Sequence, residues 1–532
     1  MVNELAPKPR YRSAMTASFA RPASALAAVL LLSGPAALAQ TAPESAPPTT
    51  ELEPAVVQPA PEAPEPAPPP PPPMPALKPE QSARLLKLLE AAPSHALPAP
   101  RLETLRTRLG SDDDSARRRA EAELIAATLS HARALRGHRV NPTSVSSLWA
   151  VAPPPYDAAR ELAAALNGDR VDASSLEKWA AALPPPYAGY RALQGAYGRY
   201  RKIADDGGWG TLPSTGVSIR PGVADARVPA LRKRLAAEGY AVGNGTGTIY
   251  DRELADAVRR FQNRRGLSPD GVIGSGALTE LNISARTRAD QIAANLERWR
   301  WIPRQLPAHR IEVNLPTAML DYYRNGSIPS TMKVAVGAVK HQTPMMTADI
   351  SSIVLNPPWN VPLSIVKNEI APKLARDPGY LKRQQLKVVG KHANGLPMLQ
   401  QAAGPLSALG RVKFDSPNEF AVFLHDTPSR SGFSRADRLL SHGCVRLERP
   451  LELARLVLEG ASDWNPERMQ AAVDSGKTVR VSLPEPVPMY LFYWTSFVDS
   501  QGGVYFWDDI YGWDQRLTAA LDQAPVQMAA AR

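Results

Sequence analysis

The spacing of apolar residues changes near residue 310, and this change requires more than one domain. Before that point apolar residues recur at helical intervals, as Val228, Leu231 and Leu235 do. Beyond it apolar and polar residues alternate, as in residues 311–315, which is typical of strands with one buried face. A chain of 532 residues also exceeds the size of one ordinary domain. We therefore predict a multidomain fold in which helical domains precede a mixed, mainly β, barrel-like domain.

The first 39 residues have the pattern of a secretory signal peptide. Arginines precede a short apolar run at 25–32, and residues 37–39 read Ala-Leu-Ala. That run is too short to span a bilayer, and no later run of about 18 apolar residues occurs. We predict export, with no integral membrane segment after signal cleavage. Met1 and Met15 are both candidate start residues.

Two segments without a catalytic pattern follow the signal peptide. Residues 40–79 are rich in Ala, Pro and Glu and culminate in the proline run 68–73. This composition favours an extended polyproline II tether. Residues 80–223 have helical periodicity and no catalytic constellation, so we predict a helical scaffold domain.

The formal net charge of the chain is +11, which favours contact with polyanions. The basic residues are dispersed, and the sequence contains no zinc-finger spacing or other nucleic-acid motif. Dispersed charge is typical of a solvated surface. We therefore expect no nucleic acid partner, while an acidic wall polymer or a membrane surface stays open as the target of this charge.

Cys444 is the only cysteine in the sequence. It has no partner for an internal disulfide, and an exported free thiol is exposed to oxidation. Such a residue is either an inert buried side chain or a reactive one. The neighbouring residues favour reactivity, because His425 follows a predicted apolar strand at 419–424 and residues 441–446 read Ser-His-Gly-Cys-Val-Arg.

A thiol nucleophile needs a base that takes its proton and N–H groups that face the oxyanion formed on the attacked carbonyl. The imidazole of His425, at a strand end, is a candidate base. Gly443 allows a tight bend that brings its own N–H and that of Cys444 toward one point. The helix predicted from about Pro450 begins too far along the chain to act on the thiol at full strength.

His425 and residues 441–446 have the residues and the spacing of the YkuD-type L,D-transpeptidase catalytic domain, and the chain resembles the large periplasmic branch of that family. The resemblance implies a catalytic domain at 308–485 and an aromatic-rich C-terminal extension at 486–532. It also implies a lid insertion at about 365–406, which we expect to be mainly helical and polar. The alternative for this insertion is a plain surface excursion.

Residues 224–284 resemble a peptidoglycan-binding module. Helical patterns at 228–235 and 254–261 precede a dense turn signal, Gly-Leu-Ser-Pro-Asp-Gly, at 266–271. The resemblance implies a small three-helix bundle. A generic helical spacer is the alternative.

The resemblance also implies a reaction. Cys444 would attack the carbonyl of the third residue of a peptidoglycan tetrapeptide and release D-Ala, and an amine of a second stem would then form a 3-3 cross-link. His425 is the implied base, and the backbone N–H groups of His442, Gly443 and Cys444 are the implied oxyanion hole. The implied supporting or substrate-binding residues are Asp426 (through its backbone carbonyl), Ser441, Arg446 (as a substrate contact or a loop brace) and Trp359.

The implied partners are the stem peptides and glycan strands of peptidoglycan, and carbapenems are expected to acylate the thiol. The resemblance implies a periplasmic, wall-associated protein. No cofactor and no metal are expected. A zinc site made by His425, His442 and Cys444 is disfavoured, because no further Asp, Glu or His stands at a suitable spacing.

Several alternatives stay open at this point. Water as the acceptor would make the protein an L,D-carboxypeptidase, and a protein amine as the acceptor would make it a protein-to-wall ligase. A wall-binding scaffold without catalysis is a further class, which the complete His and Cys motif disfavours. A papain-like or caspase-like protease is disfavoured because the sequence has neither signature. The sequence leaves the third stem residue of the substrate and the oligomeric state open.

Overall fold

The computed structural model describes residues 73–169, 174–461 and 463–524. The predicted signal peptide and most of the predicted tether lie outside these residues. No helix within the three described ranges combines the length and the apolar character needed to cross a membrane.

Residues 79–169 and 174–205 form a mainly helical region, in which the helices are interrupted by the short strand β1 (Trp149–Ala150). Its helices are α1 (Pro79–Glu90), α2 (Glu103–Leu109), α3 (Asp114–Leu135), α4 (Pro142–Val145), α5 (Ala158–Gly168), α6 (Ser175–Ala182) and α7 (Ala188–Asp205).

Apolar spacing and helix-end residues explain these helices. Leu85 and Leu89 lie one turn apart on α1 and are both buried. Pro79 occupies the first turn, where its missing N–H costs no hydrogen bond. Asp113 caps α3 by accepting the N–H of Ser115 at 2.8 Å. The predicted helical scaffold is therefore confirmed for the described residues.

The three-helix bundle predicted for the next segment is also confirmed. Its helices are α8 (Val228–Ala237), α9 (Arg252–Arg264) and α10 (Ser275–Leu281). Leu231, Val258 and Phe261 are fully buried in its core, as their helical spacing predicts. Asp251 caps α9 by accepting the N–H of Leu254 at 2.9 Å.

A buried charged cluster joins this bundle to helix α7. Glu238, just after α8, pairs with Arg265 and, at 2.9 Å, with Arg234, and the hydroxyl of Tyr200 on α7 donates to the same carboxylate. Burial acts to raise the pKa of Glu238, but the two arginines outweigh it and lower that pKa to about 2. Arg265 also donates to the carbonyl of Val504 at 3.1 Å, which ties the bundle to residues near the C-terminus.

Helix α11 (Ala285–Trp301) leads into the mainly β domain. The first strands of this domain are β2 (Arg310–Asn314), β3 (Met319–Arg324), β4 (Ser327–Gly337) and β5 (Met345–Leu355). Burial alternates along them, as in β2, where Ile311 and Val313 are fully buried and their neighbours are half-buried. The alternation arises because successive side chains point to opposite faces of the sheet.

An insertion, residues 359–401, follows β5. Its elements are β6 (Trp359–Asn360), α12 (Leu363–Ile365), a π-helical turn (Val366–Ile370), α13 (Ala371–Arg376), α14 (Tyr380–Arg383), β7 (Leu386–Lys391) and β8 (Pro397–Gln401). The strands form a separate sheet in the order β6-β8-β7. The sequence predicts a mainly helical segment, and the structure differs because Asn394 and Gly395 turn the chain into a β7–β8 hairpin, with φ of +82° at Gly395.

The C-terminal part of the domain contains both helices and strands. Its elements are β9 (Val412–Asp415), β10 (Leu424–His425), a 3₁₀ helix (Arg430–Ser434), β11 (Leu439–Ser441), β12 (Val445–Leu447), α15 (Pro450–Val457), α16 (Pro466–Asp474), β13 (Val479–Phe492), β14 (Ser496–Val498), β15 (Val504–Phe506) and α17 (Trp513–Gln523). Helix α15 starts at Pro450, as the sequence predicts.

The principal sheet closes on itself. Its strands run in the order β1-β5-β13-β2-β3-β4-β12-β10-β9, and β11 pairs with β4. Strand β9 also pairs with β5, so the strands from β5 to β9 enclose an apolar core. Strand β10 is parallel to β12 and antiparallel to β9. The closed sheet agrees with the predicted mixed, mainly β domain.

The predicted strand at 419–424 is wrong except for its last residue, which begins β10. The side chain of Asn418 turns the chain instead, because its oxygen accepts the N–H groups of Phe420 at 3.1 Å and Val422 at 3.2 Å. Ala421 adopts a φ of +50° within this turn. A residue with a positive φ cannot continue an extended strand.

Strand β13 crosses the predicted boundary between the catalytic domain and the C-terminal extension. It continues to Phe492 and lies between β5 and β2, in the middle of the principal sheet. Tyr493, Tyr511 and Trp513 then join the same apolar core. The aromatic residues of the predicted extension therefore complete the β domain.

Candidate active site

Strand β10 points His425 away from the apolar core. The preceding residue, Leu424, pairs with apolar residues of β9 and β12 and is fully buried in that core. Successive strand residues face opposite sides of a sheet. His425 therefore lies on the other side, where its register partners are Lys413 on β9 and Arg446 on β12.

Cys444 immediately precedes β12 and lies on the same side of the sheet as His425. The N–H of Val445 donates to the carbonyl of Phe423 at 3.1 Å, which places Cys444 level with Phe423. The half-buried thiol lies 3.7 Å from the carbonyl oxygen of Ala421. The Phe423 ring stands edge-on to the imidazole, with 5.6 Å between ring centroids. The structure thus brings the two predicted catalytic residues to neighbouring positions on one surface.

The main chain fixes the orientation of the His425 ring. Its Nδ1 lies 2.5 Å from the carbonyl oxygen of Asp426, so Nδ1 carries the proton of the neutral ring and donates it. Nε2 is then the acceptor nitrogen, which is the form that a base requires. This contact is the one predicted for Asp426.

The carboxylate of Asp426 stabilises the surrounding turns. It accepts the N–H of Arg411 at 2.7 Å and that of Thr427 at 2.6 Å, and it pairs with the guanidinium of Arg430. Gly410 packs tightly against it, because a Cβ at this position would lie 2.4 Å from the carboxyl carbon. The φ of Gly410 is +61°, a conformation that also favours glycine.

Burial keeps both candidate reacting groups neutral. Burial, assisted by the positive charges of Arg446 and Lys413, lowers the pKa of His425 to about 3. Burial also raises the pKa of the Cys444 thiol, although a backbone contact at Phe423 and the same two cations act to lower it. At neutral pH the site therefore holds a thiol beside an imidazole, not an ion pair.

The loop of residues 441–444, which we name the nucleophile loop after its candidate nucleophile Cys444, is shaped by hydrogen bonds to Gly443. Its N–H donates to Oγ of Ser441 at 3.1 Å, and its carbonyl accepts the hydroxyl of Thr343 at 2.7 Å. The φ of Gly443 is +120°. Within the described residues, the N–H groups of His442 and Cys444 donate to no protein acceptor. Of the three predicted oxyanion-hole donors, one is engaged and two are open.

The side chain of His442 lies against the insertion, and that of Trp359 lies within it. His442 is exposed and pairs through Nε2 with the carboxylate of Glu369 in the π-helical turn. Its ring centroid lies 4.4 Å from that of His341. Trp359 packs against the apolar cluster of the insertion, around Val366. In the part of the chain that the structure describes, no group of three His, Cys, Asp or Glu side chains is arranged to hold a metal ion.

Arg446 is a cation without a partner among the residues that the structure describes. Its Nε is buried and makes no hydrogen bond. Burial lowers the pKa of this guanidinium, and the neighbouring Cys444 acts in the opposite direction. A cation in this state beside a thiol is suited to bind a carboxylate of a ligand.

Sequence reasoning missed Lys413, Thr343 and Glu369. Lys413 had a usable signal, since polar and apolar residues alternate along β9 and place it on the non-core face. The other two residues had none, because their contacts with Gly443 and His442 join positions 100 and 73 residues apart in the sequence.

Three family models match the chain in the order of its domains. Residues 77–196 match a scaffold domain, residues 224–281 match a peptidoglycan binding domain, and residues 308–481 match the YkuD L,D-transpeptidase catalytic domain. The third range holds the closed sheet up to the start of β13, together with His425 and Cys444.

Residues 308–481 are an L,D-transpeptidase catalytic domain of the YkuD family.

A curated relative of this L,D-transpeptidase domain is a Haemophilus influenzae protein described as "Putative L,D-transpeptidase". It is 34% identical over 246 residues, which cover 43% of this chain and 49% of that protein. The chain thus spans about half the length of this curated relative.

Solved L,D-transpeptidase structures are also similar, at lower identity. An L,D-transpeptidase from Mycobacterium smegmatis is 13% identical, with 35% of this chain and 58% of that chain covered and a TM-score of 0.19. L,D-transpeptidase 3 from Mycobacterium tuberculosis, in complex with a faropenem-derived adduct, is 12% identical, with 35% and 60% covered and a TM-score of 0.18. The assignment of the L,D-transpeptidase domain rests on the family model.

Proposed function

We propose that this chain forms 3-3 cross-links in peptidoglycan, with Cys444 as the nucleophile and His425 as the base. The observation that carries the proposal is the shared sheet face on which the only cysteine of the sequence adjoins a buried, neutral imidazole. Because the Asp426 carbonyl holds the proton on Nδ1, Nε2 is available to take a proton from a thiol.

In the first half-reaction, Sγ of Cys444 forms a bond to the carbonyl carbon of the third stem residue. The thiol proton passes to Nε2 of His425 during the attack, because burial disfavours a separate thiolate. The tetrahedral intermediate then collapses and the bond to the D-Ala nitrogen breaks. His425 returns the proton to that nitrogen, which leaves a thioester on Cys444 and free D-Ala.

In the proposed intermediate, the oxyanion faces the open N–H groups of His442 and Cys444. Donors placed where the charge develops stabilise the transition state far more than the ground state. The N–H of Gly443 already donates to Ser441 and shapes the loop. Arg446, which is unpaired in the described residues, would hold a carboxylate of the donor stem.

In the second half-reaction, an amine of a second stem attacks the thioester. The amine gives its proton to His425, the carbon–sulfur bond breaks, and the departing sulfur takes the proton back. The same site with water as the acceptor would hydrolyse the stem, and with a protein amine it would attach that protein to the wall.

We also propose that this chain is exported to the periplasm and acts at the cell wall. The peptidoglycan binding domain supports this location. The three-helix bundle of this domain is held against helix α7 by the buried contacts of Glu238 with Arg265 and Tyr200. We expect carbapenems to acylate Cys444, because their strained carbonyl suits attack by the same thiol.

The test incubates the full chain, and its Cys444→Ala variant, with a disaccharide-tetrapeptide and follows the products by mass spectrometry. A product lighter than two monomers by one alanine molecule, formed only by the unmodified chain, is the expected result. A tripeptide alone would mean that water is the acceptor. No product from either the monomer or intact sacculi would overturn the enzymatic proposal and leave a wall-binding scaffold.

A further inference from the structure

The side chain of Thr343 bridges two backbone groups beside the nucleophile. Thr343 is fully buried, and its Oγ1 accepts the N–H of Gly337 at 2.8 Å. The same hydroxyl donates to the carbonyl of Gly443 at 2.7 Å. The hydroxyl therefore acts as an acceptor at the end of β4 and as a donor in the nucleophile loop.

The second of these bonds controls the direction of the Cys444 N–H. The carbonyl of Gly443 and the N–H of Cys444 belong to one planar trans peptide, so they point in opposite directions. Gly443 lacks a side chain and adopts a φ of +120°, so its own conformation restrains this peptide weakly. The hydrogen bond from Thr343 supplies the missing restraint and holds the N–H of Cys444 toward the open side of the loop.

Residues from the C-terminus hold Thr343 in place. The hydroxyl of Tyr511 donates to the carbonyl of Gly337 at 2.7 Å and accepts the N–H of Thr343 at 3.3 Å. Burial raises the pKa of Tyr511 to about 12, so this hydroxyl keeps its proton. The indole N–H of Trp513 donates to the side chain of Gln342, the residue before Thr343, at 3.0 Å.

The turn between β4 and Thr343 also permits only glycine at its start. A Cβ on Gly337 would lie 2.1 Å from the carbonyl oxygen of His341 and 2.7 Å from the nitrogen of Thr343. The turn is therefore packed directly on the end of β4. Its position is supported by β4 and by the aromatic residues that follow β13, and the N–H of Ala338 within it also donates to the carbonyl of Ser441 at 2.9 Å.

We propose that Thr343 is a positioning residue for the reaction, and that Tyr511 and Trp513 extend this support from the C-terminal segment. Thr343 aims the N–H of Cys444 at the oxyanion, without itself touching the substrate. This inference rests on the proposed function, because it assumes that Cys444 attacks a carbonyl and that an oxyanion forms beside the loop.

Two reactions of the same thiol separate positioning from simple loss of structure. Acylation by imipenem passes through a tetrahedral oxyanion, whereas alkylation by iodoacetamide displaces iodide and forms none. A change that only misdirects the Cys444 N–H should slow the first reaction and spare the second. Both rates are measured on the full chain by intact-protein mass spectrometry.

The variants are Thr343→Val, Thr343→Ser and a control, Thr495→Val. Valine keeps the shape of threonine without the hydroxyl, and serine keeps the hydroxyl. Thr495 is an equally buried threonine whose hydroxyl accepts a hydrogen bond from Asn295 at 2.7 Å, in contact with helix α11. Replacing Thr495 with valine therefore also removes a buried hydroxyl and its hydrogen bond, but at a site outside the nucleophile loop.

For Thr343→Val we expect acylation to slow by about 10- to 100-fold, while alkylation stays within about twofold of the unmodified chain. Thr343→Ser should recover most of the acylation rate, and Thr495→Val should leave both rates nearly unchanged. Tyr511→Phe should reduce acylation less than Thr343→Val does, since the hydroxyl of Thr343 stays.

Three outcomes would overturn the inference. Unchanged acylation in Thr343→Val would mean that the N–H needs no such support. Equal losses of acylation and alkylation, or no recovery with serine, would assign Thr343 a purely structural role. If the unmodified chain is alkylated but never acylated, the proposed function fails, and the role of Thr343 fails with it.

Discussion

His425 and His442 bracket the same short stretch of chain, but they lie in two different regions of the molecule. His425 is buried in the principal sheet, between Lys413 and Arg446, with its Nδ1 bonded to a backbone carbonyl. His442 is exposed and pairs with Glu369 of the insertion. The imidazole of His425 is held by backbone structure and is kept neutral by burial, whereas that of His442 is held by the side chain of Glu369 at the surface.

The difference between the two histidines shows which surroundings suit an imidazole to the proposed role of base. A base must be neutral, oriented and close to the proton that it takes. Burial keeps His425 neutral, the Asp426 carbonyl orients its ring, and the strand register places it on the sheet face that carries Cys444. The exposed pair of His442 and Glu369 supplies a contact between the loop and the insertion, and contacts of this kind contribute little free energy.

The largest expected effect separates the two histidines directly. We expect His425→Gln to slow acylation of Cys444 by about 10²- to 10⁴-fold, because the proposed general base is lost. We expect His442→Gln to slow it by less than about tenfold, because only the backbone N–H of His442 faces the oxyanion. The measurement is the rate of imipenem adduct formation. Equal losses in the two variants would mean that the His442 side chain matters to acylation as much as the His425 side chain does.

The second prediction tests the packing that holds the buried region. Gly410→Ala should lower the free energy of unfolding by about 2–4 kcal/mol, because alanine is strained at this φ and its Cβ would displace the Asp426 carboxylate. Gly476→Ala is the matched control, since Gly476 has a φ of +66° but open space around it. The control should cost about 1 kcal/mol, which is the backbone strain alone.

Urea unfolding of both glycine variants measures this difference. Equal destabilisation would mean that Gly410 contributes only its backbone conformation, and that its contact with Asp426 adds nothing. A larger effect at Gly476 would contradict the packing argument altogether.

The third prediction concerns pH. The folded-state pKa of His425 is about 3, below its unfolded value of 6.5, so the unfolded chain binds a proton that the folded chain excludes. Stability is therefore lost as the pH falls below 6.5. By pH 5 this group alone should cost about 2 kcal/mol of unfolding free energy, since each pKa unit corresponds to about 1.4 kcal/mol.

Urea unfolding at pH 7 and pH 5 tests this loss. In the unmodified chain, part of the unfolding free energy lost between pH 7 and pH 5 comes from His425. The total loss should therefore be about 2 kcal/mol smaller in His425→Gln, whereas His442→Gln should lose as much as the unmodified chain. An unchanged loss in His425→Gln would mean that the buried imidazole accepts a proton in the folded state.

The smallest expected effect lies in the exposed region. Glu369→Gln removes the charge that faces His442 and keeps the shape of the side chain. Because both side chains are more than one-third exposed, we expect tryptic cleavage within the insertion to speed up by no more than about threefold. Glu485→Gln, outside the insertion, is a control for the loss of one negative charge. A tenfold increase would mean that this pair holds the insertion in place.

The same contrast explains what the sequence predicts and what it does not. The order of the domains, the three-helix bundle and the alternating strands follow from local periodicity. Cys444 and His425 follow from a short motif with a set spacing. The residues that surround them, such as Thr343, Tyr511 and Glu369, reach the site through contacts between distant parts of the chain, and no local pattern marks them.

Two errors have local physical causes. The apolar composition of residues 419–423 suggests a strand, but the side chain of Asn418 satisfies the backbone N–H groups within a turn. The insertion has polar, helix-forming residues, yet its Asn394-Gly395 pair closes a hairpin. A single turn-forming residue in the first case, and a pair of them in the second, outweighs the average propensity of its neighbours.

The location of the acyl group during turnover tests the proposed role of Cys444 more directly than any other measurement. The full chain is mixed with a disaccharide-tetrapeptide, quenched in acid and digested at low pH, and the fragment with Cys444 is weighed by mass spectrometry. We expect this fragment with the disaccharide-tripeptide acyl group attached, and no adduct in Cys444→Ala. An acyl group on another residue, or an adduct that persists in Cys444→Ala, would contradict that role.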